Sequence, residues 1–421
     1  MNTRNITSPP PKRQLMYYSL LGAPIAMLGI PLYLYLPLYY HESYGLSLAV
    51  IGLALLAARL FDVFTDPLMG WLSDRIHRRF NRTLQILMGL FLLLFSVFQL
   101  FFPNPEHVTA WTLFIWSFFT YLAWTWVQVP YLSLATEITQ HDFGKSQLTA
   151  SREGLAILGV LAVLILPFSL GLDIEQIAFY DLLFWLLTGL FILAMGVLFK
   201  VKQLPFNSTN AESQSPWKTL KTLWVNQRSA FDIMPIYFLN NLANALPATL
   251  FLIFVADYLQ LDADKGLFLV VYFLSGLVAL PFWLVLSKKI GKAKTWQLSM
   301  LSASVSFSGV FLLTAGDFYG FLLITILTGL SLGIDLAMPA SMQADITQKV
   351  SPKESHISGL LFGIWGMLTK FALAVAVGIT FPLLDLVTLV DGNSQWALLM
   401  LYAGVPIILK IYAVTKLNKL I

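Results

Sequence analysis

An apolar run that starts near Leu46 and ends in a basic cluster at Arg78 and Arg79 carries Arg59, Asp62 and Asp66 inside it. Spacings of three and four residues place all three on one face of a helix. A charge in hydrocarbon costs on the order of 3 kcal/mol and so faces a bundle interior or a watery cavity. Two carboxylates one turn apart beside a single guanidinium have the chemistry of a cation site. A structural ion-pair cluster that merely holds helices together is the competing reading. Lys370 sits in the middle of another apolar run, too deep to reach water easily. The cheapest arrangement pairs it with an acid across the bundle, and Asp62 and Asp66 are the deepest acids. An ammonium that balances two carboxylates can be displaced by a sodium ion or a proton; a permanent structural partner is the alternative. Asp335, inside a further apolar run, is assigned to substrate binding, against a purely structural role.

Gly70, Asp74 and Arg78 form a G-x-x-x-D-x-x-x-R pattern where the Asp62 run meets water. An acid and a guanidinium one turn apart can clamp a neighbouring helix end in one state and release it in another. Arg59, Arg75 and Asp345 are assigned to the same gate. Tyr121, Trp124, Gln128 and Tyr131 lie on one later run and combine hydroxyl, amide and aromatic groups, as a pocket for a polar solute does, or as a packing seam between helices does. Catalysis has no comparable signature. The histidines His41, His77, His107, His141 and His356 fall in or beside loops, and no H-E-x-x-H, G-x-S-x-G or phosphate-binding glycine loop is present. The chain is expected not to be an enzyme and to need no cofactor beyond a coupling cation. A channel is disfavoured by paired opposite charges where a ring of like groups is needed.

The elements that hold these residues are membrane helices. Only 11% of the 421 residues are charged and 57% are hydrophobic, against about 25% charged in a soluble domain; the mean hydropathy is +0.74. With roughly 20 apolar residues per span, twelve spans are expected, near 15–40, 46–73, 83–102, 108–135, 149–171, 177–200, 230–259, 266–287, 296–315, 318–344, 356–384 and 395–415. The first is too long for a signal-peptide core. Arg75, Arg79, Arg82, Lys145, Arg152, Lys200, Lys202, Lys288 and Lys289 mark one side of the membrane, with Lys410, Lys416 and Lys419 in the tail. The other side holds Lys265 among Glu42, Glu106, Asp173, Glu175 and Asp257. Positive charge stays in the cytoplasm, so both termini are expected there. With no cysteine, disulfides and thiolate sites are excluded. The expected organisation is an all-α polytopic protein: a six-helix bundle over about 1–200, a linker over 201–229 with a short amphipathic helix around Trp217 and Trp224, and a second six-helix bundle over 230–421. The halves echo each other, since Pro130 to Thr139 resembles Pro339 to Thr347, and repeated halves with a midplane site are the plan of many secondary transporters. The expected partners are a small-molecule solute and the bilayer, with no nucleic acid and no obligate protein partner.

The whole chain resembles the glycoside–pentoside–hexuronide:cation symporters, the melibiose-permease branch of the major facilitator superfamily. The resemblance rests on Arg59, Asp62, Asp66, Pro67, Gly70, Asp74 and Arg75, on Tyr44 to Ser47, and on Thr125, Pro130 and Arg152. Met342 to Ile346 and Lys370 extend it into the second half. It implies a twelve-helix, two-bundle transporter of the bacterial inner membrane that couples sodium or proton entry to solute uptake. It implies that Asp62, Asp66 and Thr125 line the cation site, with Lys370 beside it and Arg152 between cation and substrate. The family's sugar-binding acids fall at Ala26 and Gln128 and its aromatic platform at Leu132. A plain galactoside loses its partners there, and an amphipathic solute such as a lysophospholipid, carried by relatives in the branch, is the alternative.

Overall fold

The computed structural model describes residues 9–77, 79–174, 176–203, 216–226, 228–350, 357–391 and 395–420, and no strand occurs among them. The first apolar stretch is broken into α1 (Lys12–Ser19), α2 (Gly22–Met27), a π-helical turn at Pro31–Tyr35, and α3 (Leu36–Tyr44). Pro24, Pro31 and Pro37 cause the breaks, because each removes an N–H and crowds the preceding turn. Gly45, at φ +68°, ends α3 in the left-handed region that a side chain avoids. Five long helices follow: α4 (Leu48–His77), α5 (Arg82–Phe101), α6 (Ala110–Ile138), α7 (Asp142–Leu170) and α8 (Ile177–Leu198). The polar stretch around Asn207 lies outside the described residues. Beyond it α9 (Pro216–Asn226) forms from the basic amphipathic sequence and exposes Trp217 and Trp224. Then come α10 (Met234–Ile253), running into a second π-helical turn at Phe254–Tyr258, and α11 (Lys265–Ile290), α12 (Lys292–Ser308), α13 (Phe318–Val350) and α14 (Ser358–Asp391). The chain closes with α15 (Gln395–Leu399), a third π-helical turn at Met400–Gly404, and α16 (Val405–Asn418).

Each expected span has its helical counterpart, but several helices run further than their apolar residues. α7 begins at Asp142 rather than near 149, so Arg152 and Glu153 lie nearly three turns inside it and not at its start. The polar first turns hold because the His141 ring accepts a hydrogen bond from the Gly144 amide at 3.1 Å. α13 likewise continues to Val350, which keeps Asp345 within a helix. Hydropathy registers only the part of a helix that lies in lipid; the projecting turns are polar and are held by caps and charges.

The chain divides into two compact units, Met1–Thr222 with Ala344–Met367, and Leu223–Gln343 with Leu368–Ile421. In the first, the Tyr39 hydroxyl donates to the Phe101 carbonyl and the Tyr40 hydroxyl to the Leu100 carbonyl, each at 3.0 Å. Those carbonyls end α5 and have no partner within their own helix. In the second, Phe254 and Tyr402 stack at 3.9 Å and 1°, so the two π-helical turns of that unit pack ring on ring. Phe64, Phe91, Ile192, Val278, Val305 and Ile408 point outward, each about two-thirds exposed or more, as side chains in contact with lipid do.

Without water to drive association, helices in lipid gain from close backbone contact at small residues. At Gly159 of α7 an added Cβ would collide with the Ala23 carbonyl of α2, whereas at Gly189 it would meet nothing. Gly159→Val should therefore cost about 1–3 kcal/mol through overpacking, and Gly189→Val almost nothing. Melting of the two detergent-purified variants against the parent checks this.

Candidate functional site

α4 and α6 pack side by side in the first unit and bring Asp62, Asp66 and Thr125 together, all nearly inaccessible. The Thr125 hydroxyl lies 3.1 Å from Asp62 Oδ1 and 2.7 Å from Asp66 Oδ1. It has one proton to donate, so it cannot satisfy both oxygens at once. Two buried carboxylates with one hydroxyl between them concentrate oxygen ligands and negative charge in one place. Oxygen ligands of this kind suit a hard monovalent cation, and a proton shared with a carboxylate serves the same end. Pro67, in the next position, offers no N–H to the Val63 carbonyl one turn back, which leaves α4 irregular beside the acids.

The glycines of α14 give this site a wall of bare backbone. A Cβ on Gly366 would fall 2.8 Å from Asp66 Oδ2; one on Gly363 would strike the Asp66 carbonyl, and one on Gly359 the Gly70 carbonyl. Gly70 and Gly359 meet backbone to backbone, which explains the glycine of the gate pattern.

Arg59 sits one turn from Asp62, with its guanidinium 3.9 Å from the Tyr33 ring centroid, and it hydrogen bonds with Tyr121. Tyr33 belongs to the π-helical turn of the first span and stacks on Trp124 at 6.1 Å and 15°. Arg59 Nε and Trp124 Nε1 are buried donors with no hydrogen-bond partner. Arg59 thus lies with the aromatic residues at mid-helix, about four turns along α4 from Asp74. Gln128 is half-buried one turn beyond Trp124.

The other expected substrate residues divide differently. Tyr131 donates to the Tyr18 carbonyl at 2.8 Å and packs against the Tyr18 ring at 4.8 Å, tilted by 36°, so at this end α6 forms a packing seam. Arg152 is buried and ion-paired to Glu153, its sequence neighbour. Lys370 lies partly buried on α14 in the second unit, and Asp335 is buried in α13 of the same unit, where it pairs with Lys410.

At the basic end of the first unit, both oxygens of Asp74 cap α14, accepting from the Gly359 and Leu360 amides at 2.8 Å each. Arg82 is fully buried and serves as the hub. It binds Asp74 at 2.5 Å, Ser73 at 2.6 Å, Ser358 at 2.8 Å and Glu137 at 3.0 Å. Asp345 pairs at 2.7 Å with Lys145, which is also buried, and the Gln348 amide donates to the carbonyls of Thr136 and Thr139. Arg75 lies over the Trp71 ring at 5.3 Å. Arg78 lies outside the described residues. Arg82, Glu137 and Lys145 are absent from the sequence-based assignment because each reads as an ordinary loop charge. Only the i and i+8 spacing of Asp74 and Arg82 across a short turn hinted at a pair.

Membrane-length helices in this number, with ionisable residues sealed inside them, have the build of a secondary transporter. The chain belongs to the MFS/sugar transport protein family, whose model matches residues 17–418. It is an integral membrane transporter, as the resemblance in its sequence implied. It is 25% identical over 408 residues to the uncharacterized symporter YnaJ of Bacillus subtilis, covering 91% of this chain and 86% of that one. It is 23% identical over 455 residues to the mouse sodium-dependent lysophosphatidylcholine symporter 1, covering 95% of this chain and 85% of that one. A glucuronide carrier protein homolog of Escherichia coli is 30% identical over 159 residues, 34% of this chain and 32% of its own. Two solved structures share the fold: a bacterial homologue of the iron transporter ferroportin, with TM-score 0.72 and 14% identity over 97% of this chain and 98% of that one, and the E. coli fucose:proton symporter, with TM-score 0.71 and 14% identity over 96% and 97%.

Removing the hub takes the charged partner from the buried Asp74 and the half-buried Glu137. Arg82→Ala should cost about 3–5 kcal/mol, the range for breaking a buried ion pair. Arg82→Met with Asp74→Asn and Glu137→Gln should recover much of the loss. Melting temperatures of the single and triple variants check the sign.

Proposed function

We propose that the chain couples entry of a monovalent cation at Asp62, Asp66 and Thr125 to uptake of a small organic solute by alternating access, with both termini in the cytoplasm of a bacterial-type inner membrane. The observation that carries this reading is a pair of nearly inaccessible carboxylates one turn apart with a hydroxyl between them, an oxygen set that suits a sodium ion or proton. Filling the site draws α4 and the glycine face of α14 into one equilibrium, so cation binding and helix packing are linked. The gate is the Asp74–Arg82–Glu137 network with its cap on α14, joined by the Lys145–Asp345 pair. Gly70 and Arg75 belong to its walls.

For the solute, the family points to a sugar or glycoside. The partnerless donors Arg59 Nε and Trp124 Nε1, with Tyr121 and Gln128 beside them, favour a solute rich in acceptor oxygens. A second reading, an amphipath such as a lysophospholipid, is favoured by the similarity to the mouse symporter along 95% of this chain. Gln128 and Ala26 stand where a galactoside symporter places acids. Each lost charge-assisted hydrogen bond costs about 1.5–3 kcal/mol, so two losses weaken a plain galactoside by roughly two to four orders of magnitude.

Asp62→Asn and Asp66→Asn should each abolish gradient-driven accumulation while leaving the folded yield intact. Uptake into vesicles under an imposed sodium or proton gradient checks this, and undiminished uptake in both variants would end the assignment. Calorimetric titration with melibiose, a glucuronide and a lysophospholipid, each with sodium present, separates the solute classes; tight melibiose binding would overturn the reading of Gln128 and Ala26.

A further inference from the structure

The second unit contains a buried polar cluster that the transport reading does not use. α10, α12, α13 and α16 bring together Asn240, Ser299, Asp335 and Lys410, each at most 7% exposed. The Lys410 ammonium donates to Asp335 Oδ2 at 2.7 Å and to Asn240 Oδ1 at 2.8 Å. The Ser299 hydroxyl lies 3.1 Å from Asp335 Oδ1 and 3.4 Å from the Ser331 carbonyl. Asn244, one turn along α10 from Asn240, brings its amide to 3.5 Å from Asp335 Oδ2. One turn before Asp335 on the same face of α13, the Ser331 hydroxyl is buried and has no hydrogen-bond partner.

We propose that Asp335, Asn240 and Ser299 form a second oxygen site for a monovalent cation, and that its resident cation is the protein's own Lys410 ammonium. One carboxylate, one amide carbonyl and one hydroxyl are the hard-oxygen set that a small monovalent ion requires. The partnerless Ser331 hydroxyl is a further oxygen that the ammonium does not engage. The site has the same chemistry as that of Asp62, Asp66 and Thr125, but here the charge is supplied from within. The stem on α16 holds the ammonium at a high effective concentration, which excludes sodium from solution. With the ammonium removed, the buried carboxylate must take up a cation or a proton. The proposal does not rest on the role given to Asp62.

The test uses the purified full chain with Asp62→Asn, melted in sodium chloride or N-methylglucamine chloride at equal ionic strength. The parent melted alongside reports the Asp62 reading separately: a sodium shift that is equal in the parent and in Asp62→Asn, or absent from both, counts against that reading and leaves the Lys410 comparison standing. Adding Lys410→Met should create a sodium-dependent rise in melting temperature, about 1.5 °C at ten times the dissociation constant, which further change of Asp335→Asn removes. Lys410→Gln repeats the measurement with a polar stem. Should Lys410→Met be too unstable without sodium, its recovery of folded yield in sodium supports the site. Three outcomes overturn it: no sodium-dependent rise in either Lys410 variant, an equal rise after Asp335→Asn, or stabilisation by acid alone. Failure of both Lys410 variants to fold in sodium, while Lys410→Met with Asp335→Asn folds, overturns it as well.

Discussion

Two carboxylates on adjacent turns of one helix, both removed from water, cannot keep their charges uncompensated, and much of the first unit answers to that constraint. Thr125 supplies a hydroxyl within reach of both acids. Gly366 and Gly363 of α14 carry no side chain where one would press on Asp66. Pro67 breaks the regular hydrogen bonding of α4 beside the site. Each feature alone weakens a helix or leaves a polar group awkwardly placed. Together they gather carboxylate and hydroxyl oxygens beside bare backbone at one place in the first unit. The protein is thus least comfortable where it is most specific.

The same accounting runs through the other buried charges. Arg82 is enclosed completely, yet Asp74, Ser73, Ser358 and Glu137 all lie within hydrogen-bond distance of it, and the α14 terminus completes the set through Asp74. Lys145 has Asp345, and Lys410 has Asp335 with Asn240. Pairs of this kind add little net stability. What they add is discrimination, since a displaced helix end strands a charge. That makes an all-or-none arrangement of the helix ends cheaper than a graded one.

The number and order of the helices were legible because lipid demands a run of apolar residues for each crossing, and the runs are separated by charges. Their ends were not, because turns that project beyond the lipid are polar. α7 therefore gained its first turns from Asp142 onward, and Arg152 moved from a helix start to a buried position beside Glu153. Asp62 and Asp66 were visible from spacing alone, and Thr125 entered through a resemblance. Arg82, Glu137, Lys145 and Lys410 were invisible for one shared reason. A charge beside a loop or in a tail reads as solvated, and its burial is conferred by helices distant in sequence. Tyr131 shows the reverse case, a residue with pocket-like chemistry whose hydroxyl is already spent on the Tyr18 carbonyl.

α14 is one unbroken helix, yet residues up to Met367 group with the first unit and those from Leu368 onward with the second. A continuous helix rises about 1.5 Å per residue, so Gly359, Gly363 and Gly366, all in the first unit, string the Asp74 cap and the Asp66 carboxylate along about 10 Å of one stiff rod. With no side chain at any of the three, the rod lies on α4 by its backbone alone, and whatever shifts the rod at its capped end is felt at the acids about two turns away.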